Sequence, residues 1–188
     1  MEHLMLDLET MGTESTSAIV SIGAVMFDPE SNKLGEAIHI PISLKSAMTC
    51  GLKINPDTIL WWLKQSENAR GSTFTDGAHE LHDGLGIFSE WMGKQHDKAK
   101  IKIWGNGSDF DNVILANAYQ SQGYQLPWKF YNNRCFRTLK NMVLLDEQAQ
   151  KTIVVPTREG THHNAMDDAI YQAKFACELS RLFKTRLK

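Results

Sequence analysis

The segment Leu4-Met5-Leu6-Asp7-Leu8-Glu9 is the strongest constraint on what this chain can become. It alternates at period 2, so it reads as a β-strand with Leu4, Leu6 and Leu8 on one face. Asp7 and Glu9 then share the other face. A strand buried on both sides cannot hold two adjacent carboxylates without positive compensation, and no Lys or Arg lies nearby in the sequence. A divalent cation is the natural partner, because hard cations take oxygen ligands. The alternative is an edge strand whose acids simply face water.

Nothing else in the composition competes with a soluble, globular reading. The chain has 188 residues, 42% apolar and 22% charged, which predicts one domain spanning 1–188 with a sizeable core. No apolar run approaches the ~18 residues of a membrane-spanning helix, and the N-terminus does not read as a signal peptide. Cys50, Cys135 and Cys177 are odd in number and distantly spaced, so they encode neither a disulfide framework nor a zinc site. A reducing cytoplasm fits best. A net charge of −2 means that any nucleic-acid partner must be held by local features rather than a broad basic surface.

The first 43 residues read as three strands, around Leu4–Glu9, over Ala18–Phe27 and over Ala37–Ile42. Their connections are too short for parallel crossovers, so the three form an antiparallel meander. Helical signals follow. Asn55-Pro56 predicts a capped helix start with Ile59, Trp62 and Leu63 on its apolar face. Leu81, Leu85, Phe88 and Met92 mark a second helix. A short strand over Ile101, Ile103 and Trp104 precedes a helix from about Phe110 to Gln122. The closing helix starts near Ala165, with Ala169, Ala173, Ala176, Leu179 and Phe183 in one stripe. Arg181, Lys184, Arg186 and Lys188 are expected to complement its dipole.

Two further polar clusters stand at helix starts. In GNGSDFDNVIL, Asp109 reads as a helix cap, and Asp111 is placed to point back across the end of the sheet. In HHNAMDDA, His163 and Asp168 are five apart, which on one helix is ~140° out of phase. They converge only if His163 lies in the loop before a helix capped by Asn164. Asp167 then suits the helix dipole and His162 faces solvent.

Taken together, DLET, NGSDFDNVIL and HNAMDDA resemble the DEDDh group of DnaQ-like 3′–5′ exonucleases, over residues 4 to about 183. The DLETMG, VSIGAV, NPDTILWW and RCFRTL segments look like its small phage-type branch, which includes exonuclease-VIII-like and ribonuclease AS-type domains. The resemblance implies an α/β, ribonuclease-H-like fold: a mixed sheet with its first three strands antiparallel, flanked by helices. It implies 3′–5′ hydrolysis of single-stranded DNA or RNA to nucleoside 5′-monophosphates, using two Mg²⁺ or Mn²⁺ ions. The metal-binding carboxylates then fall on Asp7, Glu9, Asp111 and Asp168, with Asp7 bridging, and the general base on His163. Asp109 matches no family ligand.

The same resemblance puts the backbone of Thr10, Met11 and Gly12 beside the sugar of the 3′-terminal nucleotide. Trp61 is the candidate base-stacking platform or a partly buried surface residue, and Trp62 belongs to the core. Arg134, Arg137 and Lys140, spaced by three, contact phosphate or form a solvated face. Homodimerisation enters by family analogy. Two rival readings remain: a catalytically inactive interaction module on this fold, and a ribonuclease-H-like endonuclease, which has no need of the His-x₄-Asp spacing.

Overall fold

In the computed structural model, which describes residues 1–95, 97–107 and 109–186, the alternating N-terminal segment is strand β1 (His3–Thr10). It does not lie at an edge. β2 (Ile19–Asp28) and β3 (Lys33–Pro41) extend the sheet on one side, while β4 (Lys102–Gly105) and β5 (Asn133–Cys135) extend it on the other. The sheet order is β3-β2-β1-β4-β5, with β1–β2 and β2–β3 antiparallel and β1–β4 and β4–β5 parallel. This is the mixed sheet with an antiparallel opening meander that the short connections predict. The edge-strand alternative for Asp7 and Glu9 is thereby excluded.

Helices cover both faces. α1 (Leu44–Thr49), α2 (Pro56–Leu63), α3 (Glu67–Thr73) and α4 (Leu81–Gln95) follow β3, and α5 (Asp111–Ser121) follows β4. A 3₁₀ turn (Phe130–Asn132) leads into β5, then α6 (Phe136–Val143), α7 (Glu147–Thr152) and α8 (Ala165–Arg186). Leu4, Leu6 and Leu8 pack with Leu81, Leu85, Phe88 and Met92 of α4 and with Ile114, Leu115 and Tyr119 of α5. The opposite face carries Met5, Val25 and Phe27 against Ala169, Ala173, Ala176 and Leu179 of α8. Both faces of β1 are thus dry over most of its length, and Asp7 and Glu9 stand on the α8 side. Among the described residues, no helix is long and apolar enough to cross a membrane.

Three details depart from the sequence reading. Leu63 is 65% exposed, because α2 ends at that residue and only Trp62 and part of Ile59 meet the core. Phe183 is also exposed, and Leu182 takes the buried position at the end of the α8 stripe. Arg181 and Lys184 bind side chains rather than the helix terminus: they pair with Glu178 and Glu30. Lys188 lies outside the described residues. The segments forming α1, α3 and α7 carry no long apolar stripe, and their caps (Ser43, Ser66 and Asp146) are what define them.

The contact that positions the site is between α8 and β2. Gly23, paired with Asp7 in the register of β1 and β2, faces the start of α8. A Cβ at Gly23 would overlap the Ala165 carbonyl carbon and the Met166 nitrogen, which are backbone and cannot swing aside. Glycine here is a requirement of close approach. Gly23→Ala is therefore expected to lower unfolding free energy by about 3 kcal/mol or more, at the upper end of overpacking costs. Urea unfolding with an unchanged slope and a lower midpoint would show it; an unchanged midpoint would refute the close packing.

Candidate active site

The acids meet at the C-terminal end of β1. Asp7 and Glu9 project from it towards α8, and Asp168, on the first turn of α8, comes down beside them. One oxygen from each of Asp7, Glu9 and Asp168 lies within 4.8 Å of the others. At that separation and an effective dielectric of ~20, two carboxylates repel by about 3 kcal/mol. Glu9 and Asp168 are each only 7% exposed, so water does little to relieve this.

Asp111 approaches from the other side. It opens α5, directly after β4, and its carboxylate accepts the Leu8 N–H at 3.1 Å and the Asn106 N–H at 2.8 Å. These bonds fix it across the sheet's end, where it acts electrostatically on Asp7 and Glu9. Gly105 makes room: a Cβ there would stand 3.0 Å from Asp111 Oδ2 and would overlap Asn112 Oδ1. The expected cap role of Asp109 is not found. Phe110 occupies the cap position of α5, and no side chain caps the helix.

The segment before α8 is built as the spacing of His163 and Asp168 predicts. Asn164 Oδ1 accepts from the Met166 and Asp167 N–H groups, both at 3.1 Å. His163 precedes it with φ 63°, a left-handed conformation uncommon outside glycine that His adopts more readily than most residues. Rather than hanging free, His163 is held at both ends of its backbone. Its N–H donates to Asp168 Oδ2 at 3.2 Å and its carbonyl accepts from Thr73 Oγ1 at 3.3 Å. Its ring stacks on exposed His162 (3.9 Å between centroids) and meets Trp61 edge-on at 4.8 Å.

Asp7, Glu9, Asp168, His162 and His163 line a cleft of about 670 Å³, whereas Asp111, 2% exposed, does not line it. Thr10, Gly12 and Trp61 border it, as do His163 and the β1 acids. Met11 does not. Its side chain is buried and its backbone is used within the chain, donating to Ala18 O and accepting from Asn55 N. Gly12 has a packing reason besides any ligand, since a Cβ would stand 2.6 Å from Ser17 Oγ. Trp61 is 41% exposed, whereas Trp62 is buried with its Nε1 donating to Thr10 O at 3.0 Å. Of the three spaced cations, Lys140 reaches the cleft wall.

Two cleft residues were invisible to sequence reasoning. Gln172 donates to Asp7 Oδ1 at 2.7 Å, while its own buried Oε1 finds no partner among the described residues. It sits one helical turn after Asp168, a spacing that carries no signal until Asp168 is assigned. Arg158 pairs with Asp168 Oδ1 and lies 4.2 Å over the Tyr171 ring. It comes from the loop between α7 and α8, which has no periodicity to read. It neutralises one acid in part; among the described residues, Asp7 and Glu9 have no Lys or Arg partner.

Burial and mutual repulsion show in the protonation of the cluster. Burial, then Asp111, Glu9 and Asp168, push Asp7 well above the usual carboxylate range, opposed by the Gln172 hydrogen bond. Burial, then Asp168 and Asp111, raise Glu9 to about 8. Burial raises Asp111 to about 6 against its backbone hydrogen bonds. His163 is lowered, first by burial and then by His162, against the pull of Asp168. A buried all-oxygen donor set that resists ionisation on its own fits hard divalent cations.

The mixed sheet, and carboxylates that meet beside a histidine at its end, are what the resemblance to DnaQ-like exonucleases implies. The model of the family described as the 3′-5′ exoribonuclease Rv2179c-like domain matches residues 2–180, and the chain belongs to that family. An exodeoxyribonuclease of Enterobacteria phage T4 is 28% identical over 167 residues, covering 77% of this chain and 73% of that protein. Among solved structures, E. coli Exonuclease I in complex with a dT13 oligonucleotide superposes with a TM-score of 0.65 at 17% identity. That match covers 98% of this chain but 43% of Exonuclease I, so the chain spans less than half of that enzyme. The nuclease domain of 3′hExo, a DEDDh family member bound to rAMP, gives 0.63 at 14% identity, covering 97% and 92%. At such identities the structures speak for the fold alone.

The raised carboxyls make stability fall as pH rises. Glu9 and Asp111 hold more protons folded than unfolded, so folding stability is lost through the window from about pH 4 to about pH 8. A divalent cation replaces those protons. Thermal unfolding without metal should therefore give a lower Tm at pH 8 than at pH 5.5, and Mn²⁺ should raise Tm more at pH 8. A Tm that rises over this window without metal would contradict the coupled cluster.

Proposed function

We propose that this chain hydrolyses single-stranded nucleic acid from the 3′ end, releasing nucleoside 5′-monophosphates, with two Mg²⁺ or Mn²⁺ ions and His163 as general base. The observation that carries the reading is the convergence of Asp7, Glu9 and Asp168 with His163, which is tied to Asp168, in one cleft; Asp111 acts electrostatically on Asp7 and Glu9 from a buried position that does not line it. Membership of an exoribonuclease-like family supports the same reaction.

Asp7, Glu9, Asp111 and Asp168 would hold the cations, Asp7 touching both. Bound divalent ions would supply an activated water and stabilisation of the leaving oxygen. The chain's own residues do the rest. His163, kept neutral by its surroundings, accepts the water's proton. Its left-handed backbone and two anchoring hydrogen bonds aim the ring at the cleft rather than at solvent. Trp61, exposed beside it, offers a face on which the terminal base stacks. Thr10 and Gly12 border the place assigned to the last sugar. The polyanion is then bound by a local reversal of charge, which a net charge of −2 does not oppose.

An RNA substrate and a DNA substrate each have a precedent: the family is described as exoribonuclease-like and the phage relative is an exodeoxyribonuclease. End-labelled, sequence-matched RNA and DNA strands incubated with Mn²⁺ or Mg²⁺ resolve this. A ladder shortening from the 3′ end supports the proposal. Internal cuts would establish an endonuclease, and an intact strand an interaction module. The homodimer expected by analogy is checked by sedimentation.

His163→Ala should reduce turnover by roughly 10²–10⁴-fold while Mn²⁺ still binds. Undiminished turnover would remove His163 from the reaction. Asp7→Ala should abolish turnover and tight Mn²⁺ binding together, and calorimetry with unchanged stoichiometry would end its assignment as the shared ligand.

A further inference from the structure

Asp168 is more heavily engaged than a dedicated metal ligand needs to be. Its Oδ2 accepts the His163 N–H and its Oδ1 is paired with the Arg158 guanidinium. The guanidinium is not loosely placed, because it lies over the Tyr171 ring at 4.2 Å, held by a cation–π contact. Tyr171 stands on α8 one turn after Asp168 and lines the same cleft. Arg158 is therefore placed on the cleft wall by a ring contact that leaves its N–H groups free to donate.

Two groups of positive charge then lay claim to one carboxylate. A cation shared by Asp7, Glu9 and Asp168 must draw on Asp168, and a guanidinium beside it is repelled by that cation. Arg158 then needs another anion. The planar fork of arginine matches phosphate oxygens in a bidentate way, and phosphate is the anionic part of any nucleic acid. The described cleft wall carries one further Lys or Arg, Lys140.

We infer that Arg158 is a substrate-binding residue: its guanidinium exchanges Asp168 for the phosphate of the terminal nucleotide, pivoting on Tyr171. The inference rests on the exonuclease reading above and adds to it a residue outside the carboxylate and histidine set. Asp168 and the substrate phosphate are alternative partners of one guanidinium, so the cation and the phosphate are taken up together. No bond is made or broken by Arg158.

Calorimetry on the full chain tests this. Mn²⁺ is titrated into wild type, Arg158→Gln and Arg158→Lys, and adenosine 5′-monophosphate is then titrated into each Mn²⁺-loaded protein. Arg158→Gln should bind Mn²⁺ several-fold tighter, since a competitor for Asp168 is gone, and the nucleotide about 10–100-fold more weakly. Arg158→Lys, which keeps the charge and loses the fork, should fall between on the nucleotide. In degradation assays KM should rise with kcat little changed, and thermal unfolding should show each variant folded. Equal nucleotide affinity in Mn²⁺-loaded Arg158→Gln, or weaker Mn²⁺ binding, would overturn the assignment. A wild type that shortens no labelled strand would overturn the exonuclease reading and this inference with it. A wild type that does so, beside a variant with unchanged KM and nucleotide affinity, would overturn the Arg158 role alone.

Discussion

The structure depends on carboxylates forced together by packing that is indifferent to their charge. Alanines of α8 and Met5, Val25 and Phe27 of the sheet bury apolar surface, and the missing side chain at Gly23 lets the helix settle directly on β2. Asp168 is thereby carried to Asp7 and Glu9. Their mutual repulsion is a local cost, set against burial spread over two hydrophobic layers. Such a site is unstable on its own terms and strongly receptive to positive charge.

The neutral supports of the site explain its shape. Asp111 is held by two backbone N–H groups, from β1 and from the loop after β4, so its oxygens are fixed by the end of the two central strands. Asp7 is held by Gln172, one turn beyond Asp168 on the same helix. His163 is held by Asp168 and Thr73. Asp7, Asp111 and His163 are thus each oriented by a hydrogen-bond partner from another segment, and Asp168 by the Arg158 ion pair. The family match and the solved structures agree with the fold that carries this layout, and the chemistry proposed follows from the donor set.

Much of this was legible beforehand. The period-2 pattern of β1, the Asn55-Pro56 start of α2, the Asn164 cap of α8 and the heptad-like stripe of α4 are local signals, and the structure reproduces them. Asp109 misled because an acid just before a helix is a common cap, yet the chain turns there so that Phe110 takes the position. Leu63 and Phe183 misled because periodicity gives a face but not where a helix stops touching the core. Met11 misled because its backbone was already spent on Ala18 and Asn55.

Residue order by itself determined which faces are apolar, where helices begin, and that Asp7 and Glu9 share a side of a strand, because these follow from backbone periods of 2 and 3.6. Only the folded arrangement decided that this strand lies at the centre of the sheet, which turns two ordinary acids into a buried, repelling pair. It alone brought Arg158 to Asp168 and Gln172 to Asp7, from a patternless loop and from a helix position 165 residues away from Asp7. Contacts between distant segments depend on how whole layers stack, and no local spacing encodes that.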